Sequence, residues 1–216
     1  MCWIEAIYTL NYLIDPIRKH LEKLDLAREE VLRRSRRFIR ASGGAIKALH
    51  RNQIQPALEK IESAQENIKL IRTLTQKHPE LQFQGYVTTA EQELGEALLF
   101  LAFVRNEKLP SAAELTIRPY PYLMALADFI GELRRYILDK LRQNDFEQIE
   151  PTLDLMDELM STLFSLDFVD GLVPGFRRKV DLGRGLVERT RGDVTTALPR
   201  ERLRQELQNL SEQLKK

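Results

Sequence analysis

The stretch Gln92-Glu93-Leu94-Gly95-Glu96-Ala97-Leu98-Leu99-Phe100-Leu101-Ala102-Phe103-Val104 decides how this chain folds. From Ala97 to Val104 every residue is apolar, which leaves no side of a helix for water. A helix apolar all round has to be enclosed by other elements. Tyr122-Leu123-Met124-Ala125-Leu126-Ala127 repeats the pattern further on. Alternation of the strand type never persists beyond a few residues, so the enclosing elements are helices as well.

Working outward, the helix boundaries follow from capping residues and breakers. Asp15-Pro16 reads as an N-cap followed by proline at the first helical position, opening a helix that runs to about Arg51. The segment before it, Met1–Ile14, reads as a short packed helix. Asn52 and Pro56 open the next helix, which ends near His78-Pro79. Thr88-Thr89 starts the helix of the quoted stretch, with Glu91 and Glu93 as first-turn acids favoured by the dipole. A loop over Asn106–Pro119 leads to a helix beginning at Pro121 and ending near Asn144. Phe146–Leu166 forms another, and Val173-Pro174-Gly175 breaks the chain. Phe176–Ala197 follows, and Pro199 starts a charged terminal helix. The expectation is an all-α bundle of about seven helices in a single domain, residues 1–216. The glycines and prolines are expected mostly at boundaries, with Gly183-Arg184-Gly185 inside a helix and no nucleotide loop.

The quoted stretch places carboxylates where they are costly. Glu93 and Glu96 are three apart and share a face of an apolar helix. Asp128 and Glu132 are four apart on the next one, with Arg135 one turn beyond. Buried carboxylates have to be paired, protonated or metal-bound. If the two helices lie side by side, four carboxylates converge into a hard-oxygen site suited to Mg2+, with Mn2+ as an alternative. The competing reading pairs them with Arg118, Arg134 or Arg135 as structural salt bridges. Asp154, Asp157 and Glu158 also cluster, but on an ordinary amphipathic helix, and read as a solvated face.

The cations are segregated too. At about 100° per residue, Arg33, Arg36, Arg37, Arg40, Lys47 and Arg51 share one sector of the first long helix. Leu24, Val31, Phe38, Ala45, Ile46 and Leu49 take the opposite side. Solvated faces usually mix signs. A nearly all-arginine stripe suits bidentate phosphate contacts and points to an anion or nucleic-acid partner. Gly43 and Gly44 lie in or beside that sector and would admit a close approach to the backbone.

Composition limits the remaining options. The 216 residues carry 33 Lys+Arg against 32 Asp+Glu, so binding by bulk charge is excluded but a local patch is not. One cysteine cannot make an internal disulfide, and Cys2 has no catalytic setting. His20, His50 and His78 stand far apart, and no Glu-x-x-His, HExxH, Walker A or GxSxG motif occurs. The N-terminus lacks the basic region of a signal peptide and no run reaches membrane-spanning length, so a cytoplasmic location is expected.

Gln92-Glu93-Leu94-Gly95-Glu96-Ala97 followed by Ala127-Asp128-Phe129-Ile130-Gly131-Glu132-Leu133 resembles the catalytic signature of the translin family, on its nuclease branch, translin-associated factor X. Ala48-Leu49-His50-Arg51 and Pro119-Tyr120-Pro121-Tyr122-Leu123 are similar to that family as well, and the helical plan covers nearly the whole chain. The resemblance implies a translin-like bundle and a Mg2+-dependent endoribonuclease acting on single-stranded RNA, with single-stranded DNA as an alternative ligand. It places the acidic active-site positions on Glu93, Glu96, Asp128 and Glu132. It further implies a homo-oligomer of six or eight subunits. The compact chain and its short loop before the fourth helix suggest a prokaryotic homologue without a separate translin partner. Arg135 would then neutralise the scissile phosphate, and the stripe from Arg33 to Arg51 would guide the strand. Two other readings stay open: a non-catalytic, translin-like nucleic-acid-binding oligomer, and a helical scaffold that binds no RNA.

Overall fold

The computed structural model describes residues 3–214, with side-chain environments from residue 10. It contains six α-helices and no strand among the described residues. They are α1 (Trp3–Leu49), α2 (Ile54–Lys77), α3 (Gly85–Val104), α4 (Pro119–Arg142), α5 (Ile149–Phe164) and α6 (Phe176–Leu214). A 3-10 turn at Pro79–Leu81 links α2 to α3. Among the described residues no helix is long and apolar enough to cross a membrane.

The count is six because two prolines are internal. Pro16 lies within α1 and Pro199 within α6, where two boundaries were expected. A proline inside a helix removes one hydrogen bond, to the carbonyl four residues back. Here those carbonyls belong to Tyr12 and Thr195, both on exposed residues that water can reach. The expected short packed helix over Met1–Ile14 is therefore part of α1. Its first two residues and its side chains up to residue 9 lie outside the described residues, as does Cys2. Leu10, Leu13 and Ile14 are exposed, so among the described side chains these three do not pack within the chain.

Three helix C-termini are set by asparagine. Asn52, Asn106 and Asn144 each adopt positive φ, 54° to 56°, just beyond α1, α3 and α4. In each case the next backbone N–H reaches back five residues: Gln53 to Ala48, Glu107 to Ala102 and Asp145 to Lys140, at 2.9–3.0 Å. This left-handed cap satisfies carbonyls that a helix end leaves open.

Packing follows chain order, with α1 against α2 and α3, α3 against α4, and α4 against α5 and α6. One apolar cluster, with Phe38, Ile68, Ile71 and Leu94, fills the space between α1, α2 and α3. The larger one centres on Phe100, Phe129 and Leu133 and extends to α5 and α6. The quoted stretch is enclosed as anticipated: Leu99 and Phe100 are fully buried.

Most glycines sit inside helices rather than at their ends, against expectation. Gly95 shows why. A Cβ there would lie 2.8 Å from the Cβ of Ala125, so only glycine lets α3 and α4 approach this closely. That contact lies one residue from Glu96 and presses the two carboxylate-bearing helices together. Gly44 is covered by the stem of Lys60, 3.1 Å from where a Cβ would be, whereas Gly43 stays open. The close approach expected at the pair is therefore available only at Gly43.

Candidate metal and nucleic-acid site

The juxtaposition of α3 and α4 brings the four carboxylates into one electrostatic cluster. Glu96 is 8% exposed. Its carboxyl is pushed from 4.5 up to about 8, first by burial and then by the charges of Asp128, Glu93 and Glu132. Burial also raises Glu93, helped by Asp128 and Glu132 and opposed by Lys179. Each of the two glutamates of α3 thus feels both acids of α4.

The four differ in their partners. Asp128 accepts a hydrogen bond from Gln92 Nε2 at 2.5 Å and forms an ion pair with Lys179 of α6. Glu132 Oε2 is bonded to His50 Nε2 at 2.5 Å. Among the described residues neither Glu93 nor Glu96 has a hydrogen-bond or ion-pair partner. The structural salt-bridge reading therefore covers only part of the site, and with different cations than expected. Arg118 pairs with Glu91 at 2.6 Å, Arg134 with Asp193 at 2.9 Å, and Arg135 reaches Glu132 only at 3.9 Å. Neither Glu91 nor Glu93 is a first-turn acid, because α3 begins at Gly85.

As an oxygen-only set with two partnerless members, Glu96 buried and Glu93 partly buried, these carboxylates fit a hard divalent cation. Among the described residues no three His, Cys, Asp or Glu side chains are already drawn into a ligating group. Lys179 instead offsets part of the negative charge. Sequence reasoning did not place Lys179, Gln92 or His50 in the site. His50 carried a local signal, a polar residue after the buried pair Ala48-Leu49. Lys179 carried none, since Arg177-Arg178-Lys179 reads as a solvated run.

The cationic stripe is present as anticipated. Arg33, Arg36, Arg37, Arg40, Lys47 and Arg51 are all exposed, while Val31, Phe38, Ala45, Ile46 and Leu49 opposite them are buried and Leu24 partly so. Arg33 is engaged by Glu30 at 2.8–2.9 Å. Among the described residues the other five have no ion-pair partner, which leaves them available to an outside anion. The stripe ends at Arg51, the residue after His50, whose ring is bonded to Glu132. Arg135 is half exposed and lies within 3.9 Å of both Glu132 and Asp139. The acidic trio on α5 is a solvated face: Asp154 and Glu158 are exposed, and Asp157 pairs with Arg191 at 2.6 Å.

Comparison with known proteins places the chain in a family. The family model described as Translin family matches residues 26–190, which include the stripe and all four carboxylates. An uncharacterised protein of Methanocaldococcus jannaschii is 34% identical over 209 residues, spanning 96% of this chain and 90% of that protein. Among solved structures, AfC3PO, a C3PO from Archaeoglobus, is similar with a TM-score of 0.79 and 34% identity. The match covers 85% of this chain and 96% of that one. AfC3PO has also been solved in complex with duplex RNA, and that structure matches with a TM-score of 0.79 over 95% of its chain. Apo-NeC3PO, 22% identical with a TM-score of 0.76, shares the fold. With a family match over most of its length and a relative at this identity, the chain belongs to the translin family.

Proposed function

We propose that this protein is a metal-dependent endoribonuclease that hydrolyses phosphodiester bonds of single-stranded RNA. The observation that carries the reading is the cluster of Glu93, Glu96, Asp128 and Glu132, in which Glu93 and Glu96 have no cationic partner among the described residues. A site serving only stability would pair such groups, because taking a carboxylate out of water without a partner is unfavourable, and Glu96 is the more buried of the two. Mg2+, or Mn2+, would be held by these four residues and, when bound, would activate water and offset charge on the leaving oxygen.

The chain's own groups supply the remainder. The proton of the attacking water needs an acceptor, and one of the four carboxylates would orient that water or take its proton. Arg135, half exposed at the edge of the site, is placed to neutralise the scissile phosphate. Arg36, Arg37, Arg40, Lys47 and Arg51 hold the backbone of the strand along α1, with Arg33 at the far end. A charged track without base-reading elements suits a flexible single strand.

Self-association is part of the proposal. Leu10, Leu13, Ile17 and Leu21 on α1, and Leu203, Leu207, Leu210 and Leu214 on α6, are exposed in the single chain. Apolar rows of this length on free helix ends favour copies of the chain as partners, consistent with a hexamer or octamer.

The rival, a non-catalytic RNA-binding oligomer, draws on the two carboxylates that are paired, Asp128 with Lys179 and Glu132 with His50. The AfC3PO complex adds that a relative accommodates duplex RNA. One assay separates these readings. End-labelled single-stranded and duplex RNA are incubated with the protein in Mg2+, in Mn2+ and in EDTA, beside Asp128→Ala. Cleavage of the single strand that EDTA and Asp128→Ala abolish is the expected result. RNA binding without cleavage in either metal assigns the protein to the rival class.

A further inference from the structure

We infer that His50 is a positioning residue of the carboxylate site, clamping Glu132 so that its free oxygen faces the cluster and setting how tightly the site takes up a divalent cation. The inference rests on the metal-site reading above and adds to it a residue from a third helix, α1.

His50 and Glu132 are 82 positions apart, so the contact exists only in the folded chain. The His50 side chain is 3% exposed. A carboxylate can only accept, so the ring proton lies on Nε2 and is donated to Glu132 Oε2 at 2.5 Å. The same oxygen is the one that Arg135 approaches at 3.9 Å. Glu132 Oε1 has no partner among the described residues and remains available.

The ring is fixed from two further sides. Its centroid lies 4.4 Å from that of Phe100. Its second nitrogen, Nδ1, is buried without a hydrogen bond, and Asp139 Oδ2 stands 3.7 Å away, beyond bonding reach. Asp139 is itself approached by Arg142 at 3.3 Å and Arg135 at 3.9 Å. A buried ring nitrogen without a partner is costly, and a leucine in the same apolar seat would avoid that cost. The imidazole is therefore poorly explained by packing alone. It is well explained by what Nε2 does for Glu132. Asp128 is held more fully, with Lys179 reaching both of its oxygens and Gln92 one of them, so Glu132 is the acid of α4 that keeps an unpartnered oxygen among the described residues. Hydrogen bonds from behind a ligating group typically change metal affinity or activity by about 10–100-fold.

The test is Mn2+ binding by the RNA-free protein, read by electron paramagnetic resonance, with thermal unfolding as the control for folding. His50→Leu should weaken Mn2+ binding by about 10–100-fold. His50→Gln, whose amide N–H can take the place of Nε2–H, should restore most of it, and His50→Asn, which mimics the other nitrogen, should not. In an E132Q background His50→Leu should have no further effect. RNA cleavage by His50→Leu should need more Mg2+ but approach the wild-type rate at saturation. Wild-type Mn2+ affinity in His50→Leu would overturn the inference alone, as would a Gln variant no better than Asn, or an undiminished effect in the E132Q background. A wild-type protein that binds no Mn2+ would overturn both this inference and the metal-site reading. If His50→Leu does not fold, the contrast between Gln and Asn decides.

Discussion

Replacing Glu96 by glutamine should stabilise the metal-free protein at alkaline pH while abolishing its chemistry. In the folded chain this carboxyl is raised from 4.5 to about 8. Between those values the folded state holds a proton that the unfolded state has released. Its contribution to stability is fully present below pH 4.5 and is lost as pH rises through about 8. At about 1.4 kcal/mol per pH unit, the full span corresponds to roughly 5 kcal/mol. At 8% exposure solvent screens little of this, though relaxation of the site makes it an upper bound. Glutamine approximates the protonated acid and carries no charge to desolvate. In EDTA, urea unfolding should give similar stabilities for Glu96→Gln and the wild type near pH 5. Near pH 8.5 the variant should lead by several kcal/mol. Adding Mg2+ should raise the wild type and leave the variant largely unchanged, because a ligand that binds only the folded state stabilises it. If the gap between the two proteins does not widen from pH 5 to pH 8.5, Glu96 is not the buried, mutually repelled carboxylate described here.

Other perturbations probe the surrounding structure. Gly95→Ala places a Cβ within 2.8 Å of the Ala125 Cβ and should cost about 1–3 kcal/mol by overpacking, measured by urea unfolding. An unchanged midpoint would mean that α3 and α4 do not depend on that contact. Joint replacement of Arg36, Arg37 and Arg40 by alanine should weaken single-stranded RNA binding. It should also flatten the plot of log affinity against log salt by about 2, at roughly 0.7 per lost phosphate contact. An unaltered slope would place the RNA elsewhere. Glu substitutions at Leu207 and Leu210 should shift the protein to smaller assemblies in light scattering, and an unchanged mass would exclude the α6 row from the subunit contact.

The sequence carried the fold wherever a local rule had one outcome. An apolar stretch such as Ala97–Val104 has to be enclosed, and the length of the pattern around it, without strand alternation, makes it a helix. Asn52, Asn106 and Asn144 ended helices because asparagine tolerates the left-handed conformation that a cap needs. Pro16 and Pro199 misled because proline at a helix start and inside a helix look alike in sequence. What separates them is whether water can reach the carbonyl four residues back, and burial decides that. The site divided along the same line. Spacings of three and four put Glu93 with Glu96, and Asp128 with Glu132, without any knowledge of the fold. Their partners could not be found that way, since His50 and Lys179 lie 82 and 51 positions from the acids they hold. The arginine stripe was legible because α1 and the turn just after it contain all of it, whereas the Lys60 stem lying over Gly44 belongs to α2.

The central claim is that Glu93, Glu96, Asp128 and Glu132 form a divalent-metal centre, and anomalous diffraction from crystals soaked in Mn2+ tests it most directly. The account predicts anomalous density among these four side chains, absent in crystals of Asp128→Ala. Crystals that show no such density at saturating Mn2+, with Asp128 still on Lys179 and Glu132 still on His50, would contradict it.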